Sequence, residues 1–148
     1  MSIKVLSVKN IVTPKGVKIL TVGTQGAAGI SASITPLTMV AGEVLGSLRA
    51  VININSQVFY ANNENPLHSN KVIGIVTQAV NINESVTVQT SGELEGFFGL
   101  TIGEPVYLQS NGTITSVLPV IGFVQQLGIA ITTTKILINI QPTITLIG

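Results

Sequence analysis

Few side chains in this sequence can do chemistry. Its 148 residues include no Cys and no Asp, one His (His68) and six Glu. A thiol nucleophile, a disulfide and a thiolate metal site are therefore excluded. A Ser-His-carboxylate triad would have to combine His68 with one of the six Glu, and a glycosidase pair would need two of those Glu in one cleft. We predict a non-enzymatic protein without a cofactor or a metal site.

Two tyrosines and a group of asparagines are the residues best suited to binding. Tyr60 and Tyr107 fall on predicted strands, where a ring either stacks on a sugar or packs in the core. His68 lies in the polar loop of residues 62–70. It is either a receptor contact, a metal ligand or an ordinary exposed histidine. The asparagines either hydrogen-bond glycans or serve turns and strand ends; they are Asn53, Asn55, Asn62, Asn63 and Asn65.

The composition is dominated by β-branched residues, which set the fold class. The chain contains 20 Ile, 18 Val and 16 Thr, more than a third of all residues. Such side chains fit a pleated sheet and lose rotamer freedom in a helix. No segment combines a 3.6-residue hydrophobic period with helix caps. We therefore predict an all-β protein.

Charge is sparse, and this restricts the partners. Charged residues make up 9% of the chain and the net charge is +1, so no basic field is available for nucleic acid. Residues 105–134 carry no charge, but Pro105, Asn111-Gly112 and Pro119 interrupt them, and we predict no membrane span. The alternating, lysine-bearing N-terminus predicts a soluble chain without a secretion signal. Much of so apolar a surface is expected to be buried against other subunits.

The N-terminal part of the chain divides into an arm and a linker. Residues 1–22 contain two strand-like stretches separated by Thr13-Pro14-Lys15-Gly16, and so short a segment cannot bury a core alone. Residues 23–39 are rich in Gly, Ala and Ser, and their three Gly-X-Y triplets indicate a flexible linker or three chains meeting at an axis. We expect other chains to order the arm, by strand addition or by insertion between subunits. The predicted anchoring residues are Ile3, Lys4, Val5, Lys9, Ile11, Lys15, Val17, Lys18 and Ile19.

The rest of the chain contains an internal repeat. Shifted by about 48 positions, the sequence places Val72-Ile73-Gly74 on Val120-Ile121-Gly122. Each copy consists of short strands and turns, and Asn111-Gly112 is the strongest turn signal because both residues tolerate positive φ. We predict two related small units, barrel-like or sandwich-like, at residues 40–96 and 97–148. In this prediction Gly74 superposes on Gly122.

The second copy resembles small β-barrel modules of tailed-bacteriophage virion proteins. The resemblance rests on the strand Gly103-Glu104-Pro105-Val106-Tyr107, the turn Asn111-Gly112 and the strand Val120-Ile121-Gly122-Phe123-Val124. Such modules occur in capsid decoration proteins, head fibres and tail-fibre segments. The first copy departs from the pattern, because Asn55-Ser56-Gln57 stands where the second has Gly103-Glu104-Pro105.

The resemblance implies a structural homotrimer located in the virion. We expect a head fibre or capsid decoration protein that is anchored through its N-terminal arm. Its partners would be other copies of the chain and capsid or other virion proteins, without nucleic acid or membrane. The alternative is a carbohydrate-binding tail-fibre or adhesin module that contacts a host surface glycan.

Overall fold

The computed structural model describes residues 36–146, and this part of the chain is all-β, as predicted. Its helical segments are two single 3-10 turns, Pro66–His68 and Ser110–Gly112. None of its helical segments is long and apolar enough to cross a bilayer. The strands are β1 Leu37–Ala41, β2 Arg49–Ile54, β3 Gln57–Tyr60, β4 Val72–Val76, β5 Ser85–Gln89, β6 Gly92–Glu95, β7 Pro105–Leu108, β8 Ile114–Thr115, β9 Phe123–Val124, β10 Gln126–Ala130, β11 Lys135–Ile138 and β12 Ile144–Thr145.

The strands form where buried β-branched residues alternate with more exposed residues. In β5, Val86 and Val88 are buried while Ser85 is exposed. In β11, Ile136 and Ile138 are buried and Leu137 between them is exposed. Successive side chains of a strand point to opposite faces, so this pattern gives each strand one face toward the core.

Strands β1 to β5 form a closed barrel in the order β1-β3-β2-β4-β5. The pairs are antiparallel except β1 with β3, which run parallel and close the barrel. β1 begins at Leu37, slightly before the predicted start of the first unit at residue 40. The barrel interior is filled by Ala41, Leu45, Val51, Val58, Val76, Val80, Val86 and Val88.

The second half repeats this strand order without closing. Its sheet runs β6-β11-β10-β7-β8, which matches β1-β5-β4-β2-β3 strand for strand. All four pairs have the same antiparallel sense as their counterparts. Within residues 36–146, no pair between β6 and β8 corresponds to the closing pair of the barrel. The internal repeat is therefore present in the topology.

The register of the repeat differs from the predicted one. Gly74 pairs with Val51 next to an irregularity in β4, and Gly128 pairs with Val106 next to the same irregularity in β10. A Cβ on Gly74 would lie 2.5 Å from Gln89 O, and one on Gly128 would lie even closer to the carbonyl oxygen at position 137. The two carbonyls occupy equivalent places, because each belongs to the residue that faces the position after the glycine. The counterpart of Gly74 is thus Gly128.

The predicted superposition of Gly74 on Gly122 is wrong. Gly122 has a φ of 76° and lies in the bend before β9, whereas Gly74 lies inside β4. The segment of residues 116–125 that contains Gly122 includes β9, which pairs with β12 in a separate two-stranded sheet, whereas the corresponding residues 61–71 of the first half contain a 3-10 turn and no strand. This added ribbon has no counterpart in the barrel.

The two halves share their hydrophobic cores. Ala50, Ile52 and Val72 on the outside of the barrel pack with Leu108 and Leu127 of the second half. Ile75, also from the barrel, packs with the core of the second sheet. Residues Pro36–Gly148 accordingly form one compact unit. β6 pairs within the second sheet, although the predicted first unit extended to residue 96.

Candidate functional site

The largest concentration of exposed apolar side chains among the described residues is the loop between β8 and β9. We call residues 117–121 the apolar loop. Val117, Leu118, Val120 and Ile121 are between 56% and 85% exposed. Pro119 in the middle of the loop is buried and holds it against the body. Contiguous exposed apolar residues of this kind mark interaction sites in soluble proteins.

A buried asparagine holds the apolar loop in place. Asn63 is 3% exposed, and its side-chain amide donates to Ile121 O at 3.0 Å and to Phe123 O at 3.3 Å. The Phe123 N–H donates back to Asn63 O at 2.9 Å. A Cβ on Gly122 would collide with the same Asn63 carbonyl, and its positive φ also favours glycine. Asn63 is therefore structural, because its side-chain amide holds a backbone segment that is distant in the sequence.

Two grooves border the apolar loop. One has a volume of about 350 Å³ and lies between the loop and the polar segment that contains Asn63 and Glu64. The other has a volume of about 440 Å³ and lies between Leu118 and residues 141–144, with Ile144 at its edge. Ser69 Oγ and Thr143 Oγ1 are 2.6 Å apart, and the Thr143 N–H donates to Asn70 Oδ1, which fixes the far wall of the second groove.

We call the second groove the Tyr107 groove. It contains a row of polar side chains that have no hydrogen-bond partner within residues 36–146. Tyr107 on β7 pairs directly with Gln126 on β10, and the Gln141 N–H donates to Gln126 O at 3.0 Å. All three residues line the groove, and none of its lining residues is charged. Within the part of the chain that the structure describes, the Tyr107 hydroxyl and the two side-chain amides have no hydrogen-bond partner.

Tyr60 makes contacts within the first half of the fold. Its hydroxyl accepts a 2.6 Å hydrogen bond from the Gly46 N–H, and the guanidinium of Arg49 lies 5.3 Å from its ring centroid. Arg49 also donates to Asn111 O at 2.9 Å. Of the two tyrosines suggested by the sequence, only Tyr107 presents free polar groups to a groove.

The other predicted binding asparagines have local roles or stand apart. Asn55 has a φ of 52° and forms the β2–β3 turn with Ser56. Asn62 Oδ1 accepts from the Glu64 N–H, and Asn65 Oδ1 accepts from the Leu67 N–H at the start of a 3-10 turn. Asn53 lies exposed at the end of β2. They do not form a common glycan site.

His68 is a half-buried structural residue. Its Nδ1 accepts a 3.0 Å hydrogen bond from the Asn62 N–H, which requires the ring nitrogen to be unprotonated. Burial lowers the pKa of His68 below its usual value of 6.5. Residues 36–146 contain no group of three acidic or histidine side chains arranged to hold a metal ion.

Four of the six glutamates make local hydrogen bonds or ion pairs. Glu43 accepts a hydrogen bond from the Tyr60 N–H and Glu84 from the Asn81 N–H. Glu93 and Glu95 pair with Lys135 at 3.2 and 3.8 Å. These are surface ion pairs, which contribute little stability.

The predicted anchoring residues lie outside the described part of the chain. They are Ile3, Lys4, Val5, Lys9, Ile11, Lys15, Val17, Lys18 and Ile19. The uncharged stretch 105–134 is visible in the sequence, but Leu118, Val120, Gln126 and Gln141 were not predicted as binding residues. The stretch itself was the available signal, since it contains the apolar loop and two of the three polar residues of the groove. No protein-family model matches the chain, and no curated protein sequence is significantly similar to it.

Proposed function

We propose that this protein is a non-enzymatic structural component of a phage virion. It acts as a homotrimeric head fibre or capsid decoration protein that is anchored through residues 1–22. The observation that carries the proposal is the apolar loop, which is held in a fixed conformation yet exposes four large apolar side chains. Fixed apolar surface of this kind is suited to permanent contact with another protein.

The charge distribution supports a division between arm and body. Four of the seven cationic residues lie at or before Lys18, whereas all six glutamates lie between Glu43 and Glu104. The arm is thus cationic and suited to an acidic surface of a larger assembly, while the described body carries an excess of negative charge.

Two exposed charged residues of the polar segment 62–71 favour contact between copies of the chain. Glu64 borders the groove beside the loop, and Lys71 lies at the other end of the same polar segment. Both are exposed, and neither forms an ion pair with another residue in 36–146. A rotationally symmetric ring brings different surfaces of neighbouring subunits together, and we propose that Glu64 of one copy pairs with Lys71 of the next. The number of subunits, three, is the number implied by the resemblance to phage virion modules.

A charge exchange tests the contact between copies. Glu64→Lys and Lys71→Glu each place like charges in the interface, and each single variant should shift the assembly toward monomer in sedimentation velocity. The double variant restores opposite charges and should recover assembly. Equal assembly of both single variants and the original chain would contradict the proposed contact.

Anchoring is tested by deleting residues 1–22. We expect a folded, trimeric body that no longer joins purified virus particles, as measured by mass spectrometry of the particles and by density in their reconstruction. The intact chain is the control. Normal attachment of the shortened chain would show that the body carries the anchor.

A carbohydrate-binding module is the second candidate function. The observation that favours it is the Tyr107 groove, where an aromatic residue and two glutamine side chains line one uncharged surface. This role is compatible with a virion fibre, since a fibre can present such a groove to a host surface.

A further inference from the structure

We propose that the Tyr107 groove is a binding site for a neutral saccharide. This inference deepens the carbohydrate-binding candidate and does not depend on the virion assignment. It rests on the size of the groove, on the row of Tyr107, Gln126 and Gln141, and on the absence of charged residues from its lining.

The dimensions of the groove fit a small sugar. Its volume of about 440 Å³ lies within the range of ordinary ligand sites. Tyr107 and Gln126 are direct cross-strand partners, and Gln141 follows on the next segment. Neighbouring strands are separated by about 4.8 Å, so the row extends over roughly 10 Å. This length suits two linked hexose rings.

The chemistry of the row matches the two kinds of surface that a sugar presents. A pyranose has an apolar C–H face, which packs on an aromatic ring, and a rim of hydroxyls that both donate and accept. Each glutamine side chain offers two donor hydrogens and one acceptor oxygen. Ile144 adds apolar surface at one edge of the groove. The lining therefore offers partners for both parts of the sugar.

The groups in the row are free to bind, unlike those elsewhere in the fold. The hydroxyl of Tyr60 is committed to the Gly46 N–H, and the side chain of Asn62 to the Glu64 N–H. Tyr107, Gln126 and Gln141 have no such commitment among residues 36–146. A ligand exchanges only their hydrogen bonds with water and breaks none within residues 36–146.

The absence of charge selects neutral ligands. A sialic acid or uronic acid would bring a carboxylate into a groove without a lysine or arginine to pair with it. Placing an unpaired charge against apolar side chains is unfavourable. We therefore expect binding that changes little with salt concentration.

The test is saturation-transfer NMR and titration calorimetry of the intact chain with two sets of sugars. The neutral set contains glucose, galactose, N-acetylglucosamine, maltose and lactose, and the anionic set contains N-acetylneuraminic acid and glucuronic acid. Ligand is added to about 10 mM, which approaches saturation for a Kd of about 1 mM. We expect at least one neutral sugar to bind and no anionic sugar to bind more tightly.

Variants locate the site. Tyr107→Ala should weaken binding at least tenfold, and Gln126→Ala and Gln141→Ala severalfold each, whereas Tyr107→Phe keeps the ring and should lose less than Tyr107→Ala. Asn62→Ala is the matched control and should bind normally. Circular dichroism and mass confirm that each variant is folded and assembled.

Three outcomes would overturn the inference. They are no binding of any neutral sugar, tighter binding of the anionic sugars, or neutral-sugar binding that persists in Tyr107→Ala and Gln126→Ala. Assembly of the trimer is measured independently of sugar binding. The failure of the sugar-binding proposal therefore does not imply the failure of the proposed trimer.

Discussion

Replacing Asn63 should show how much the fold depends on the anchoring of the apolar loop. The Asn63 side chain donates two hydrogen bonds, to Ile121 O and Phe123 O, from a position that is 3% exposed. Each such bond contributes about 1 kcal/mol net, and an abandoned buried carbonyl costs about 1–3 kcal/mol. Asn63→Ala should therefore lower the free energy of unfolding by about 3 kcal/mol.

The assay is urea denaturation at fixed protein concentration, followed by circular dichroism. With a slope of about 1–3 kcal/mol per molar urea, the midpoint should fall by roughly 1–3 M. Asn62→Ala is the control, because its side chain makes one exposed hydrogen bond, to the Glu64 N–H. We expect that variant to lose less than about 1 kcal/mol.

Asn63→Asp separates hydrogen bonding from packing. The aspartate is nearly the same size but offers no donor and places a negative charge beside two carbonyl oxygens. If the donors carry the effect, Asn63→Asp loses at least as much stability as Asn63→Ala at neutral pH. An Asn63→Asp variant close to wild type, or an Asn63→Ala loss no larger than the control, would refute this reasoning.

Two further predictions follow from the repeat and from His68. Gly74→Ala and Gly128→Ala should each lower the free energy of unfolding by about 1–3 kcal/mol in the same urea assay, because the new Cβ meets a backbone carbonyl of the next strand. Gly99→Ala has open space around it and should lose only the left-handed backbone penalty of about 1 kcal/mol, so equal losses at all three would contradict the assigned register. For His68, burial lowers the pKa below 6.5, so the unfolded chain takes up the proton first and stability is lost as pH falls from about 7 toward 5. His68→Gln should remove that part of the pH dependence of the urea midpoint, and an unchanged dependence would show that the Asn62–His68 bond has no such role.

The fold class was predictable because it depends on composition and alternation. The Asn111-Gly112 turn was also predictable, and its two residues have φ values of 56° and 68°. The register of the repeat was not predictable in the same way. Many strands are rich in Val and Ile, so several offsets align apolar positions equally well. The connections also differ in length: residues 55–56 join β2 to β3, whereas residues 109–113 join β7 to β8. A single offset between the halves therefore did not place Gly128 opposite Gly74.

The candidate surfaces were only partly predictable for a related reason. Tyr107 stood out as one of two tyrosines, but its partners Gln126 and Gln141 become neighbours only through strand pairing. Asn63 was grouped with its neighbours as a polar loop residue, yet it is buried because Ile121 and Phe123, far along the chain, pack against it. Contacts at such separations depend on topology, which local sequence patterns do not specify.

The mass of the intact chain in solution shows whether the protein assembles as a trimer. The chain mass is 15.4 kDa, and we predict that light scattering gives three times this value. Val120→Glu places a charge on the most exposed side chain of the apolar loop and should give a folded monomer, since Val120 is 85% exposed and its replacement leaves the core intact. A monomeric original chain would contradict the proposed trimer, and a Val120→Glu variant that remains fully trimeric would contradict the role of the apolar loop in it.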